Sequence, residues 1–396
     1  MSTRPSAISA MRESTARRIV IVGGGVVGAA AASFLAREPS IHVTVLERDP
    51  SYRIASSALS ASSIRQQFST PLNIALSQAS LQLMQPWREQ LGFVEACYLY
   101  LADSADGANT LDRLNAAQRA AGADIRLLDP AALRARWPWL NVDGIVLGSW
   151  GASGEGWFDG PALHQLFRQD AQARGVQFVH ADVTNFETHG STVRAATCSD
   201  GTRHACDAVL IAAGAWSAPL AARLGATLPV HARKRDVFVL DSPAALPGCP
   251  LLIDPSGVWL RPEGRGFIAG APPRDGHDPD DAPLDAIDLA LFDDLLWPTL
   301  AARIPAFEAL RVRSAWAGYY EMNSFDHNGL VGALPGGWRN AFVACGFSGH
   351  GMQHAPAIGR GIAAWMARGV WGEIDLDLLS PARIEQKRRL VEQNVI

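Results

Sequence analysis

Ile19 to Val22 form an unbroken apolar run that stops at a glycine cluster, the pattern of a strand buried on both faces of a parallel sheet. Residues 26–37 then carry valine, alanine, leucine and phenylalanine in a run that predicts a helix, and the alternating "HVTVLE" predicts a second strand ending at Glu47. Further on, "GEGWFDGPALHQLFRQDAQARGVQFVHADVTNFE" reads as helix then strand, and "TVRAATCSDGTRHACDAVLIAAGAWS" as a hairpin followed by a buried strand. Late in the chain, "APAIGRGIAAWMAR" predicts an apolar helix starting near Met352. Between these elements, "SYRIASSALSASSIRQQFST" is small, polar and aperiodic, and the Pro- and Asp-rich "APPRDGHDPDDAPLD" reads as a surface loop. No repeat is found at periods of roughly 20–50 residues.

The alternation of strands and helices predicts an α/β fold, and 396 residues are enough for two domains. A hydrophobic fraction of 48% is ordinary for a globular chain, and a net charge of −4 argues against a nucleic-acid partner. No apolar run approaches the ~20 residues of a membrane-spanning helix. The five cysteines, Cys97, Cys198, Cys206, Cys249 and Cys345, are odd in number and scattered, which predicts reduced thiols in a cytoplasmic compartment. The Ser- and Arg-rich opening, residues 1–16, is expected to be a disordered leader outside the fold, with a targeting segment as the alternative.

The first strand and helix enclose Gly23, Gly25 and Gly28, which satisfy G-x-G-x-x-G in its strand–turn–helix context. The first glycine makes the tight turn, the second admits a pyrophosphate, and the third lets helix and strand pack closely. Free N–H groups at the helix start face the phosphates. Glu47 stands roughly 20 residues beyond the last glycine, where a carboxylate accepts both ribose hydroxyls of an adenosine. FAD is favoured over NAD because the chain then stays irregular through Arg65, as if lining a longer ligand.

Four blocks carry a resemblance: "IVIVGGGVVGAAAASFLA" with "VTVLER", "SSALSASSIRQQFSTPLNIALS", "DAVLIAAGAWSAPLAARLG", and "AGYYEMNSFDHNGLVG" with "AFVACGFSGHGMQHAPAIGR". In them the chain resembles the D-amino acid oxidase superfamily of flavoproteins, in its sarcosine oxidase and dimethylglycine dehydrogenase-like branch. The resemblance implies a discontinuous FAD-binding domain of residues 17–85, 154–224 and 326–396. Residues 86–153 and 225–325 would form an inserted antiparallel-sheet substrate domain. It also implies cofactor contacts from Arg48, Ser56, Ser57, Val183, Ala213, Gly214 and Trp216, and from Gly346, Ser348, Gly349, His350, Gly351 and Met352.

The late glycines have a physical use in that setting, since the flavin ring system must lie flat on backbone. A helix starting near Met352 would aim its positive end at the ring and stabilise a reduced, anionic form by ~0.3–1 kcal/mol. His350 and His354 have a metal-ligand spacing but no third ligand, so no metal is expected. Arg65 resembles the family arginine that fixes a substrate carboxylate, and Tyr319 and Tyr320 resemble aromatics lining the substrate cavity. His350 and Gln353 are further candidates for the reacting site.

Departures from the family pattern sharpen the expectation. Gly318 stands where a cysteine tethers FAD in monomeric sarcosine oxidases, which implies non-covalent FAD. Ile268 stands where a lysine helps activate dioxygen, which favours a dehydrogenase with a separate electron acceptor over an oxidase using dioxygen. Gln353 replaces a lysine that assists carboxylate binding, and Ser62–Ser63 replace a pair of glycines. The leading expectation is an FAD-dependent oxidoreductase of the C–N bond of a small amine or amino acid. A 2-hydroxy acid dehydrogenase and an FAD-stabilised assembly factor without turnover are the alternatives.

Overall fold

The computed structural model describes residues 16–274 and 276–393; the expected leader lies outside them except for its last position. Six strands form one sheet, in the order Leu330–Ala333, Ala341–Cys345, Ala208–Ile211, Arg17–Val22, Ile41–Glu47 and Gln177–His180. All neighbours are parallel except the first pair. The apolar run Ile19–Val22 sits at most 4% exposed, paired on both sides, with Ile19 opposite Ala208 on one flank and Val43 on the other. A strand so enclosed has no solvent face, which is why its sequence shows no alternation.

Helix Val26–Leu35 covers this sheet and crosses the late helix Gly351–Arg368. The crossing is close because both surfaces are small: a Cβ at Gly359 would lie 2.6 Å from the Cβ of Ala30. The first helix ends at Leu35 rather than 37, and the late helix starts at Gly351, one residue before the expected Met352. The hairpin Thr192–Cys198 and Arg203–Ala205 pairs with Val183–His189 in a separate three-stranded sheet.

Eight strands drawn from residues 98–151 and 230–323 form the second large sheet. It is antiparallel except where Leu251–Ile253 runs parallel to Tyr98–Ala102. Its outer face buries Phe238, Leu260 and Phe267 against Phe292, Leu296 and Phe307. Its inner face presents Tyr98, Tyr100 and Trp259 toward the first sheet. The aperiodic stretch after Glu47 holds one short helix, Ser56–Leu59, and a two-residue strand, Ser63–Ile64, and runs between the two sheets. All five cysteines are buried free thiols.

The long strand Arg311–Asn323 pairs with Val230–Asp241 along its length, and its end is fixed by a buried ion pair. Arg383 donates to Asp326 at 2.8 and 2.9 Å, and Asp326 also accepts from the Asn323 side chain and the Leu390 amide. The two side chains are 3% and 0% exposed. Removing one partner strands a buried charge, a cost of about 3–5 kcal/mol. Arg383→Met is therefore expected to lower unfolding stability by that amount in a denaturant titration, and an unchanged midpoint would contradict it.

Candidate functional site

A cavity of about 410 Å³ opens between the two sheets, and the glycine turn forms its floor. Gly23 has φ +98°, and a Cβ there would lie 2.4 Å from the carbonyl oxygen of Ala212, so only glycine fits where the first strand meets its neighbour. A Cβ at Gly28 would lie 2.1 Å from the Gly23 carbonyl oxygen, which is the close helix–turn contact the motif requires. Gly23 and Gly25 line the cavity, whereas Gly28 lies behind them as a packing residue. Ser57 Oγ accepts from the Val26 amide at 2.9 Å, so one helix-start donor is already capped from outside the helix.

At this end the cavity is walled by Glu47, Arg48, Ser56, Ser57, Val183, Ala213, Gly214 and Trp216. The carboxylate of Glu47 accepts from the amides of Gly24 at 2.8 Å and Asp49 at 2.9 Å, so it braces the turn while facing the cavity. Arg48 lies 4.0 Å over the Trp216 ring, a cation–π contact that closes the end wall. Beneath the turn, His164 pairs its Nε2 with the Gly24 carbonyl at 2.7 Å, and burial pushes its pKa down to about 4. A neutral imidazole can donate to that carbonyl without adding charge under the turn.

The far end is built from Ser62, Ser63, Gly318, Tyr319, Tyr320, Glu321, Gly349, Gly351 and Met352. Gly349 has φ +92°, and a Cβ there would strike the Tyr320 ring at 2.6 Å. Ser348 also takes a positive φ, held because its Oγ accepts from the Asn323 amide at 2.9 Å. Glu321 accepts from the Gly346 amide at 2.9 Å, fixing the loop that leads into helix Gly351–Arg368. Burial pushes the Glu321 carboxyl up to about 7, against the pull of those backbone donors.

Gly346, Ser348, His350, Gln353 and Arg65 do not line this cavity; they form a buried layer directly behind its far wall. Arg65 is 5% exposed, with its guanidinium 4.5 Å over the Phe68 ring, and Phe68 meets His350 edge-on at 5.1 Å. The Arg65 amide donates to Gln353 Oε1 at 2.9 Å. Burial, and then the Arg65 charge, push the His350 pKa well below its ordinary value, so the ring is neutral. Neither of its nitrogens has a hydrogen-bond partner among the described residues.

Glu155, Glu321, His164 and Tyr100 belong to this architecture, yet no motif in the sequence marks them. Glu155 accepts from the Gln66 amide at 2.6 Å and the Tyr98 amide at 3.2 Å, joining the Arg65 segment to the second sheet. Its carboxyl is pushed up to about 7 by burial. Such roles depend on contacts between distant segments, and the only local hint is an acid inside the otherwise apolar and glycine-rich "GEGWF".

A family description, FAD dependent oxidoreductase, matches residues 18–365. FAD-dependent oxidoreductase domain-containing protein 1 of Xenopus laevis is 39% identical over 425 residues, covering 96% of this chain and 84% of that protein. Mitochondrial sarcosine dehydrogenase of Mus musculus is 25% identical over 296 residues, 70% of this chain and 31% of that protein. Among solved structures, L-proline dehydrogenase from P. horikoshii shares the fold with a TM-score of 0.83 at 24% identity, over 94% of this chain and 99% of that one. Glycine oxidase from Geobacillus kaustophilus shares it with a TM-score of 0.78 at 24% identity, over 92% and 98%.

The residues present fit FAD. The Gly23–Gly25 turn leaves backbone N–H groups and a helix start at one end, and Gly318, Gly349 and Gly351 leave bare backbone at the other. No helix among the described residues is long and apolar enough to cross a membrane, and no group of three or more metal-ligating side chains is found among them.

Gly28→Ala is expected to yield colourless protein after expression, because the added carbon must displace the Gly23 carbonyl; retention of wild-type yellow colour would contradict this. The two high-pKa glutamates set a pH dependence. Each ionises near 4.5 when unfolded and near 7 when folded. The folded state therefore holds more protons between those values, and stability falls as pH rises through that window. Glu321→Gln should flatten this decline in melting curves of flavin-stripped protein, and an unaltered slope would remove Glu321 as a contributor.

Proposed function

We infer that this chain, which belongs to the FAD-dependent oxidoreductase family, oxidises the C–N bond of an amine or amino acid. The observation that carries the reading is the cavity between the two sheets, lined by glycines at both ends and walled at its far end by Tyr319, Tyr320 and Met352. FAD, when bound, supplies the acceptor for the hydride that leaves the carbon bonded to nitrogen.

The protein's own contribution is orientation and exclusion of water. Arg65 would hold the carboxylate in a two-point contact, which fixes the α-carbon against the far wall. The Tyr320 ring, packed on Gly349, would define one side of the space left for the substrate. Neutral His350 would accept a hydrogen bond from the amine without taking its proton, so no charge is added beside Arg65. The imine product needs only water to hydrolyse. Relatives point the same way, since sarcosine, glycine and L-proline, named for three of them, each carry one carboxylate and one oxidisable amine.

Two positions refine the proposal. Gly318 lines the cavity without a side chain, so FAD is held non-covalently. Ile268 is 1% exposed, opposite Arg261 across the second sheet, and Arg261 is committed to the Ala61 carbonyl at 2.7 Å and to Glu263. With no lysine at 268 to meet an oxygen anion, a dehydrogenase is favoured over an oxidase.

Anaerobic titration with N-methyl amino acids and D- and L-amino acids should bleach the flavin absorbance, whereas 2-hydroxy acids should not. Bleaching by hydroxy acids alone would establish the alternative alcohol chemistry, and no bleaching by either class would favour a protein that carries FAD without turnover. Arg65→Ala should raise KM for an amino-acid substrate at least about 30-fold while FAD content is retained. An unchanged KM would remove Arg65 as the anchor.

A further inference from the structure

Glu321 stands near the end of the strand Arg311–Asn323 and lines the cavity where the Gly214 turn meets the late glycine loop. A Cβ at Gly351 would lie 3.2 Å from its Oε1, and one at Gly214 would lie 4.0 Å from its Oε2. Both glycines line the cavity as well. Besides the Gly346 amide on Oε2, the Phe347 amide bonds the carboxyl, and the Ser348 amide donates to the Glu321 carbonyl at 3.1 Å. Three successive loop residues are thus fixed to Glu321, and its carboxyl is held at the start of helix Gly351–Arg368.

A helix start favours one negative charge beside it, and a second one is repelled by the first. Burial pushes the Glu321 carboxyl up to about 7 against its two backbone donors, so a change of local charge can move its proton. The charged groups around it are engaged elsewhere. Arg235 lies 5.3 Å over the ring of Tyr320, and Arg65 also faces that side chain, which alternation along the strand directs away from Glu321. On the paired strand Ala232 stands opposite Glu321, and its neighbours His231 and Arg233 are both held by Asp280. Burial, and then the Glu321 charge, push the Cys345 thiol up, so it stays protonated, and Arg383, which also acts on that thiol, is paired with Asp326. His350, the residue before the helix, is neutral, and the Tyr319 hydroxyl donates to the Ala282 carbonyl at 2.8 Å.

We propose that Glu321 is a cofactor-contacting residue whose carboxylate takes up one solvent proton as the bound flavin is reduced, which keeps a single negative charge at the start of helix Gly351–Arg368. A hydride brings two electrons and one proton to neutral oxidised flavin and leaves the reduced form with one negative charge. The carboxylate and one proton from water become a neutral carboxylic acid in the same event, so the charge passes from Glu321 to the flavin and none is added. Linkage makes the effect reciprocal: if reduced flavin favours the protonated acid, the ionised carboxylate disfavours reduction by the same factor. The proposal rests on the helix start addressing the flavin ring and is indifferent to which substrate supplies the hydride.

The test measures the midpoint potential of the FAD-loaded protein from about pH 7 to about pH 9, with dithionite as reductant and redox dyes as reference. Wild type should take up two protons per two electrons over this range and Glu321→Gln only one, so the wild-type potential should fall about twice as steeply with pH. Glu155→Gln removes the other carboxyl raised to about 7, which lies outside the cavity lining, and should keep the wild-type slope; a halved slope there would assign the proton to Glu155 instead. A wild-type slope of one proton, or a doubled slope that survives in Glu321→Gln, would overturn the proposal. If both slopes are of one proton while Glu321→Gln raises the potential equally at every pH, the carboxylate stays ionised and only the helix-start reading stands. A potential that Glu321→Gln leaves unchanged at every pH would refute that reading too. Glu321→Ala repeats the comparison should the glutamine variant hold no FAD, and loss of FAD from both would make Glu321 a strut of the loop and overturn the proposal.

Discussion

Parallel pairing of three strands is the constraint from which the site follows. Arg17–Val22, Ala208–Ile211 and Ala341–Cys345 lie in neighbouring or next-but-one positions of one sheet, and all point the same way. Their ends therefore emerge at a single edge, and each is followed within three residues by a glycine of positive φ: Gly23, Gly214 and Gly346. Open parallel sheets bind ligands in the crevice beyond their strand ends. Segments far apart in sequence meet there because the register allows no other placement. The crossing of Ala30 and Gly359 then ties the two helices that begin at that edge, so both helix starts address one cavity.

The second consequence is electrostatic. Arg65, Glu155 and Glu321 are buried, and each is held by backbone amides or by rings rather than left to water. Such groups destabilise a fold unless their hydrogen bonds are made, and together they fix the backbone of a segment that has almost no regular structure. His164 and His350 remain neutral beside them, which spares the interior further charge. The aperiodic stretch after Glu47 thus acquires a definite shape from contacts with strands and loops of other segments.

What the sequence makes legible is what depends on neighbours in the chain. The buried strand at Ile19–Val22, the turn at Gly23–Gly28, the strand end at Glu47 and the apolar helix after His350 all carry local signals, and the fold class follows from them. The first helix stops two residues short of the expected end and the late helix starts one residue early, because the last turns of a helix carry little local signal. Glu155, Glu321 and His164 are invisible locally, since their partners lie 25 to 140 positions away. A motif marks Arg65, His350 and Gln353 as site residues, whereas the structure buries them outside the cavity lining, a depth that no motif encodes. The Asp-rich surface loop is also tied down, by Asp278 on Arg235 and Asp280 on Arg233, pairings that composition does not reveal.

The account stands on one prosthetic group being gripped by an early and a late turn together, and binding measurements on the two ends separate that claim from its rivals. Affinity for FAD and for ADP should be measured on flavin-stripped wild type and on Gly349→Val, whose new side chain would collide with Tyr320. The account predicts that Gly349→Val loses FAD affinity at least about tenfold yet binds ADP as wild type does, because the nucleotide end is untouched. Equal FAD affinity in the two proteins would contradict it.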